Sequence, residues 1–138
     1  MQPASSAQGV GAAFELQVQV QDVTDLASVE FTLLYDPALL QVQSAELGSM
    51  LQDTPRTFGA LGPHIDKAAG SVHFGAWSYG ATAPGPSGAG TLALIHLLAV
   101  GPGTGRVEFS PRRPPVIINS LGFAQAPLCV SGAEVTVR

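Results

Sequence analysis

Apolar and polar residues alternate with a period of two along much of this chain, and the alternation predicts β-strands. Between Phe14 and Gln21 every second residue is apolar, and the residues between them are glutamate or glutamine. The same period recurs in 26–35 and in 72–77. Because successive side chains of a strand point to opposite faces, each segment predicts a strand with one buried face. The residues predicted to be buried are Phe31, Leu33, Tyr35, Phe74, Ile95 and Leu97.

The segment 26–42 is the one around which we expect the rest of the chain to be arranged. It contains an alternating strand that stops at Asp36-Pro37, and a second apolar run follows at once. Proline has no amide hydrogen for a sheet ladder, and aspartate accepts a hydrogen bond from the backbone two residues on. The pair therefore predicts a turn, with a structural role for the Asp36 carboxylate.

Later segments extend the series of strands. Residues 91–100 are nearly all apolar, which predicts a strand covered on both faces or a strand whose outer face meets a partner. Short strands are expected at 107–109, 116–118 and 134–137, and the prolines within 111–115 bar a regular central strand between the first two. With about eight or nine strands at regular spacing and no helical period, the predicted fold class is all-β, a sandwich.

Two parts of the chain carry weaker patterns. In 48–70 we expect Met50 and Leu51 to pack under the sandwich, residues 56–60 to form a short strand, and a loop to follow at Gly62-Pro63. Residues 1–12 are small and polar, and they are expected to be a loose lead-in that holds at most a truncated first strand.

Size and charge limit the classes of function. A chain of 138 residues fits one domain, 1–138. Six basic residues stand against ten acidic ones, giving a net charge of −4. Nucleic acids and anionic membrane surfaces both require clustered cations, so neither is expected as a partner. The apolar run 91–100 is about half the length that a bilayer span needs, and no membrane insertion is predicted.

Side chains that could carry chemistry are few and scattered. His64 and Asp66 lie two positions apart in a predicted loop, where a solvated pair is favoured over a metal site. His73 and His96 occupy outward positions of separate strands and are interpreted as surface histidines. Cys129 stands between Leu and Val, where a small buried thiol is favoured over a nucleophile. Since no acid–base pair can be argued, the sequence predicts no catalytic residue, no metal site and no cofactor in this domain, and no enzyme.

Three stretches, taken in their order and spacing, carry a resemblance to a known family. The first is Val23–Val42, VTDLASVEFTLLYDPALLQV, which continues through Ser44–Leu51. The second is Gly88–Leu97, GAGTLALIHL, and the third is the closing strand 132–137. From Phe14 onward the chain resembles a cohesin domain, the receptor module of cellulosome scaffolds and of related bacterial surface proteins.

The resemblance implies a nine-stranded jelly-roll sandwich without catalytic activity. It implies a binding role toward a dockerin, a small helical module that carries its own calcium. It also implies an extracellular or cell-surface location within a larger bacterial protein, with complexes for polysaccharide breakdown as one setting. In this family the partner-binding face is built partly from the strands that match 29–35 and 72–77. The outward positions there are Ser28, Glu30, Thr32, Leu34, His73, Gly75 and Trp77.

The sequence departs from the family in two places and leaves alternatives open. The lead-in is too short and too polar to show the expected first strand fully, and the proline-rich segments 52–70 and 110–128 match poorly. A carbohydrate-binding module of the same sandwich class would stack aromatic rings on sugars, with Trp77 and Tyr79 as its candidates. A structural adhesin or spacer domain without a specific ligand is the third interpretation.

Overall fold

The computed structural model describes residues 1–52, 57–80, 85–125 and 131–138. Apart from one helical turn, the regular secondary structure of these residues consists of strands. No helix within these ranges is long and apolar enough to cross a membrane. The elements are β1 Ser5–Gln8, β2 Ala13–Val23, β3 Leu26–Leu34, β4 Leu40–Leu47, α1 Ser49–Gln52, β5 Thr57–Asp66, β6 Ser71–Tyr79, β7 Gly88–Ala99, β8 Gly103–Phe109, β9 Val116–Asn119, β10 Ala124–Gln125 and β11 Ala133–Val137.

Two sheets pack face to face. The larger runs in the order β1-β11-β8-β3-β6-β5, and β9 joins it by pairing with both β3 and β10. The smaller has the order β2-β7-β4. Because neither sheet has two apolar faces, each buries one face against the other and exposes the second. The all-β sandwich is confirmed, and the strand number of nine was approximate, since eleven strands lie in the described residues.

β3 is the central strand of the larger sheet, as the sequence predicted for its segment. It pairs with β6 along most of its length on one side, and with β8 and β9 on the other. The rings of Phe31, Phe74 and Phe109 pack together with centroids 5.9 and 6.0 Å apart. All six residues predicted to be buried are buried. Truncating either Phe31 or Phe74 would therefore leave a cavity in the centre of the core.

The turn after β3 has the predicted chemistry. The Ala38 amide donates to Asp36 Oδ1 at 2.9 Å, and the amides of Leu39 and Leu40 donate to the Asp36 carbonyl oxygen at 3.1 and 3.0 Å. The carboxylate therefore holds the reversal that leads into β4, the structural role assigned from the sequence.

A second aspartate, Asp25, joins three loops at one end of the sandwich. It lies between β2 and β3 with a positive φ of 54°. Its carboxylate accepts hydrogen bonds from the Gly85 amide at 2.6 Å and from both the amide and the hydroxyl of Ser120. Its own amide donates to Ser87 Oγ at 2.9 Å. One side chain thus positions the segments that precede β7 and follow β9.

The prediction for 48–70 was right about packing and wrong about the loop. Met50 and Leu51 are buried as expected, in the turn α1. The strand expected at 56–60 instead runs as β5 through Gly62-Pro63 to Asp66, so His64 lies in a strand and not in a loop. The pairing with β6 shifts register between Leu61 and His64, and β5 is an edge strand. A bulge at an edge accommodates a proline because no ladder bond is lost there.

The start of the chain also differs from its prediction. Ser5–Gln8 is a strand, β1, which pairs in parallel with β11 along its whole length. The lead-in is therefore partly ordered, because the exposed edge of β11 supplies partners for a backbone whose side chains show no clear period. The expected buried thiol, Cys129, lies outside the described residues, as does Arg56 at the start of the expected short strand.

Candidate binding face

The outward residues predicted for the two central strands come together on the larger sheet. In the antiparallel register of β3 and β6, Ser28 lies opposite Trp77, Glu30 opposite Gly75, and Thr32 opposite His73. Leu34 continues the same row of side chains on β3. Cross-strand partners of this kind lie close together, so these seven residues form one patch, which we call the candidate face. Whether it binds a partner stays a prediction.

The members of the candidate face differ in exposure. Glu30 and Leu34 are exposed, and Ser28, His73 and Trp77 are half-buried. Thr32 is only 7% exposed, although its register position points outward. Its hydroxyl lies 2.7 Å from Nδ1 of His73, so the imidazole covers it. Gly75 is also buried. Thr32 and Gly75 therefore shape the surface and offer little contact area of their own.

His73 is held in place by groups on the neighbouring strand. Its Nε2 lies 2.6 Å from Oε1 of Glu30, and its Nδ1 faces the Thr32 hydroxyl. An ionised carboxylate is only an acceptor, so Nε2 donates to Glu30, and in the neutral ring Nδ1 accepts from Thr32. The ring is therefore fixed in orientation on the sheet, which reduces the side-chain entropy that a partner must overcome.

Trp77 does not stand up from the sheet as a free ring. It lies across Gly59 on β5, where an added Cβ would approach indole Cζ2 to 2.3 Å. It also stacks on Tyr79 with centroids 5.5 Å apart and ring planes inclined by 18°. Gly59 is therefore required for this close approach. The indole forms part of the floor of the face, and Tyr79 is the more exposed of the two rings.

Two exposed apolar residues on the same surface were missed by the sequence analysis. Leu61 is 66% exposed and lies opposite Gly75, and Val116 is 41% exposed and lies opposite Glu30. A single transverse row therefore runs across four strands through these residues. Leu61 precedes the Gly62-Pro63 pair, where a loop was expected, and Val116 was placed in the short strand 116–118 but not beside the candidate face. For Leu61, the only indication in the sequence of an outward position was its spacing of two residues from Gly59.

A different group of side chains could hold a metal ion. In the described ranges, Glu15, Glu46 and His96 offer ligand atoms that all lie within 4.8 Å of one another, on the outer face of the smaller sheet. This group of possible metal ligands lies on the smaller sheet, whereas the candidate face lies on the larger sheet. The candidate face itself combines Leu34 and the half-buried Trp77 with the fixed pair of Glu30 and His73, and Leu61 and Val116 add exposed apolar area beside it.

Comparison with known proteins gives one family. The model of the cohesin domain matches residues 2–101. No curated protein matches the chain.

Similar solved structures share the fold at low identity. The type II cohesin dyad from the adaptor ScaA scaffoldin of Acetivibrio cellulolyticus is 17% identical with a TM-score of 0.77, and the alignment covers 94% of this chain and 45% of that one. This chain thus spans less than half of the dyad. The sixth cohesin of scaffoldin B from the same organism, in complex with a dockerin mutant, is 16% identical with a TM-score of 0.77, covering 97% and 94%. A non-cellulosomal cohesin of Archaeoglobus fulgidus is 16% identical with a TM-score of 0.72, covering 98% and 88%.

Proposed function

Because the chain belongs to the cohesin domain family, we propose that it is a non-catalytic receptor module that docks a dockerin on the candidate face. The family match is the observation that carries this proposal. The sixth cohesin of Acetivibrio cellulolyticus scaffoldin B, which has the same fold, is a cohesin in complex with a dockerin. We further propose that residues 1–138 act as one module and that the partner brings its own calcium.

The surface chemistry supports a protein partner. Leu61, Val116 and Leu34 provide exposed apolar area on three strands, and Glu30 with His73 provides a fixed polar group between them. Apolar centres with a small number of oriented polar groups are typical of docking surfaces. We propose an extracellular or cell-surface setting within a larger bacterial protein, with polysaccharide breakdown as one process it could serve.

A carbohydrate ligand is the second candidate, and one observation favours it. Tyr79 is 59% exposed and stacked on Trp77, so a sugar ring could lie on its free face. However, the indole is covered by Tyr79 on one side and approaches Gly59 on another. This leaves one accessible ring where sugar platforms generally use several. The carbohydrate proposal is therefore the weaker of the two.

The test of the receptor proposal is capture of purified dockerins in the presence of calcium. Leu61→Arg places a charge at the end of the transverse row, on the edge strand β5, without removing a buried group. We expect it to weaken capture by about 2 kcal/mol or more, roughly thirtyfold. Glu30→Arg should add to the loss by reversing the charge beside His73. Affinity is measured by titration calorimetry against a panel of dockerins, and chelation of calcium should release any bound partner.

Val10→Arg is the matched control, because Val10 is an exposed apolar residue outside the candidate face. It should bind like the wild type. Equal losses in Leu61→Arg and Val10→Arg would contradict the assignment of the face. Retention of the wild type on cellulose or chitin, with no dockerin captured, would replace the receptor proposal by the carbohydrate one. Capture by neither would favour the spacer interpretation.

A further inference from the structure

We propose that Glu15, His96 and Glu46 form a binding site for a divalent transition-metal ion of the zinc type on the outer face of the smaller sheet. The three side chains come from β2, β7 and β4, which are adjacent strands. Oε1 of Glu46 lies 2.8 Å from Nε2 of His96, and Oε2 of Glu15 lies 3.7 Å from Nδ1. This site is on a different sheet from the candidate face and does not depend on dockerin binding.

A β-bulge puts Glu46 on the face that carries His96. Val42 lies opposite Leu97, but Ser44 lies opposite His96, so Gln43 is an additional residue in β4. If β4 were regularly paired through Gln43, Glu46 would share the parity of the buried Val42 and would point into the core, because a slip of one residue exchanges the two faces of a strand. The bulge therefore creates the cluster. Bulges frequently serve to re-aim a side chain in this way.

The charge of this sheet calls for a cation. β2, β4 and β7 contain no lysine or arginine along their whole lengths. Two carboxylates therefore converge on an imidazole with no basic residue from their own sheet to balance them. An arginine–glutamate pair does occur on the opposite sheet, where Arg106 lies 2.8 Å from Glu108. A bound divalent ion would compensate both carboxylates of the cluster at once.

The donor types identify the class of ion. One imidazole nitrogen and two carboxylate oxygens suit zinc and its first-row neighbours, whereas calcium and magnesium prefer oxygen ligands alone. Tetrahedral zinc places its ligand atoms about 3.4 Å apart, and the ligand atoms of this cluster lie within 4.8 Å of one another. The two glutamates face different nitrogens of His96, so the partly exposed side chains must rotate to meet an ion on one nitrogen. Glu15 and His96 also line a cleft with Gln43 and Ser44. Water can complete the coordination there.

The experiment is calorimetric titration of the metal-free full chain with zinc chloride, together with thermal melting. We expect one zinc ion per chain and a rise in melting temperature on the order of 5 °C at saturating metal, because the ion binds the folded state and ties three strands together. His96→Gln, Glu15→Gln and Glu46→Gln should each weaken binding at least about tenfold. Calcium chloride should give no comparable heat.

His64→Gln is the control, since His64 is a histidine on the outer face of the other sheet. It should retain the zinc isotherm of the wild type. The absence of saturable zinc binding in the wild type, or wild-type affinity in His96→Gln, would overturn the proposal. Melting without metal establishes that each variant is folded.

Discussion

The fold changes the ionisation of Tyr35. Burial raises the pKa of its phenol above the usual value, and the negative charge of Asp66 acts in the same direction, while the backbone of Val42 opposes both. The native state therefore keeps this proton at a pH where the unfolded chain has lost it. Stability is unaffected by this group below about pH 10 and falls as the pH rises above that value.

Tyr35→Phe tests this effect. The variant has no phenol to ionise, so its free energy of unfolding should fall less steeply than that of the wild type above about pH 10. The measurement is urea denaturation at a series of alkaline pH values. Tyr79→Phe serves as the control, because it removes the hydroxyl of an exposed tyrosine. Parallel curves for Tyr35→Phe and the wild type would contradict the assignment.

The contact between Gly59 and Trp77 can be followed directly, because the chain has one tryptophan. Gly59→Val inserts a side chain where the indole lies, and the indole must move toward water. We expect the fluorescence maximum to shift to longer wavelength and stability to fall by about 1 kcal/mol. Gly9→Val is the matched control, since an added Cβ at Gly9 meets no atom within 4 Å. An unchanged spectrum in Gly59→Val would place the ring elsewhere.

At the level of elements, the loop connections depend on Asp25 more than the sequence indicated. The local sequence does not indicate this role, because Gly85 and Ser120 are 60 and 95 positions away. We expect Asp25→Ala to lower stability by about 1–3 kcal/mol by leaving these donors unpaired. Hydrogen exchange at the Gly85 and Ser120 amides should increase as well.

Asp22→Ala is the control for this variant. Asp22 and Asp25 have positive φ angles of 58° and 54°, so both substitutions place alanine in the same strained backbone region. The difference in stability between the two variants then measures the hydrogen bonds of the Asp25 carboxylate. Equal losses would show that backbone strain, and not loop anchoring, determines the effect.

Element boundaries show why part of the fold could be predicted and part could not. β2, β3 and β6 bury one face against the core, so their period of two is visible in the sequence. β5 is an edge strand whose burial is incomplete, and a bulge resets its period at Gly62-Pro63. A bulge at Gln43 likewise changes the parity of β4. The position of a bulge depends on pairing with another strand, and the local sequence carries no information about that partner.

For the whole molecule, the sandwich and the neighbouring positions of β3 and β6 were predictable, whereas both outer faces were only partly so. The seven residues of the candidate face were found through the family resemblance, and Leu61 and Val116 were not. His96 and Glu46 are 50 positions apart, and only the register of the smaller sheet brings them together. Side chains that are distant in sequence become neighbours through the order and register of the strands, and the local pattern of residues does not specify either.

The two proposed sites lie on opposite outer faces, which predicts that they act independently. Saturation with zinc should leave dockerin affinity unchanged within error, and Leu61→Arg should leave zinc affinity unchanged. Distant sites without shared partners generally contribute additively. Dockerin calorimetry with and without zinc, in calcium buffer free of chelator, measures the coupling. A change in dockerin affinity of more than about threefold on adding zinc would show that the faces communicate through the core.

The interrupted edge strand β5 has a consequence for behaviour at high concentration. A continuous edge would present a row of free amides and carbonyls to neighbouring molecules, and a chain in which only 12% of residues are charged has little repulsion to prevent their association. Pro63 lacks an amide hydrogen and the bulge displaces the backbone beside it, so a second molecule cannot extend the ladder past this point. The same proline that obscured the strand in the sequence therefore protects this edge of the larger sheet from pairing with a second molecule.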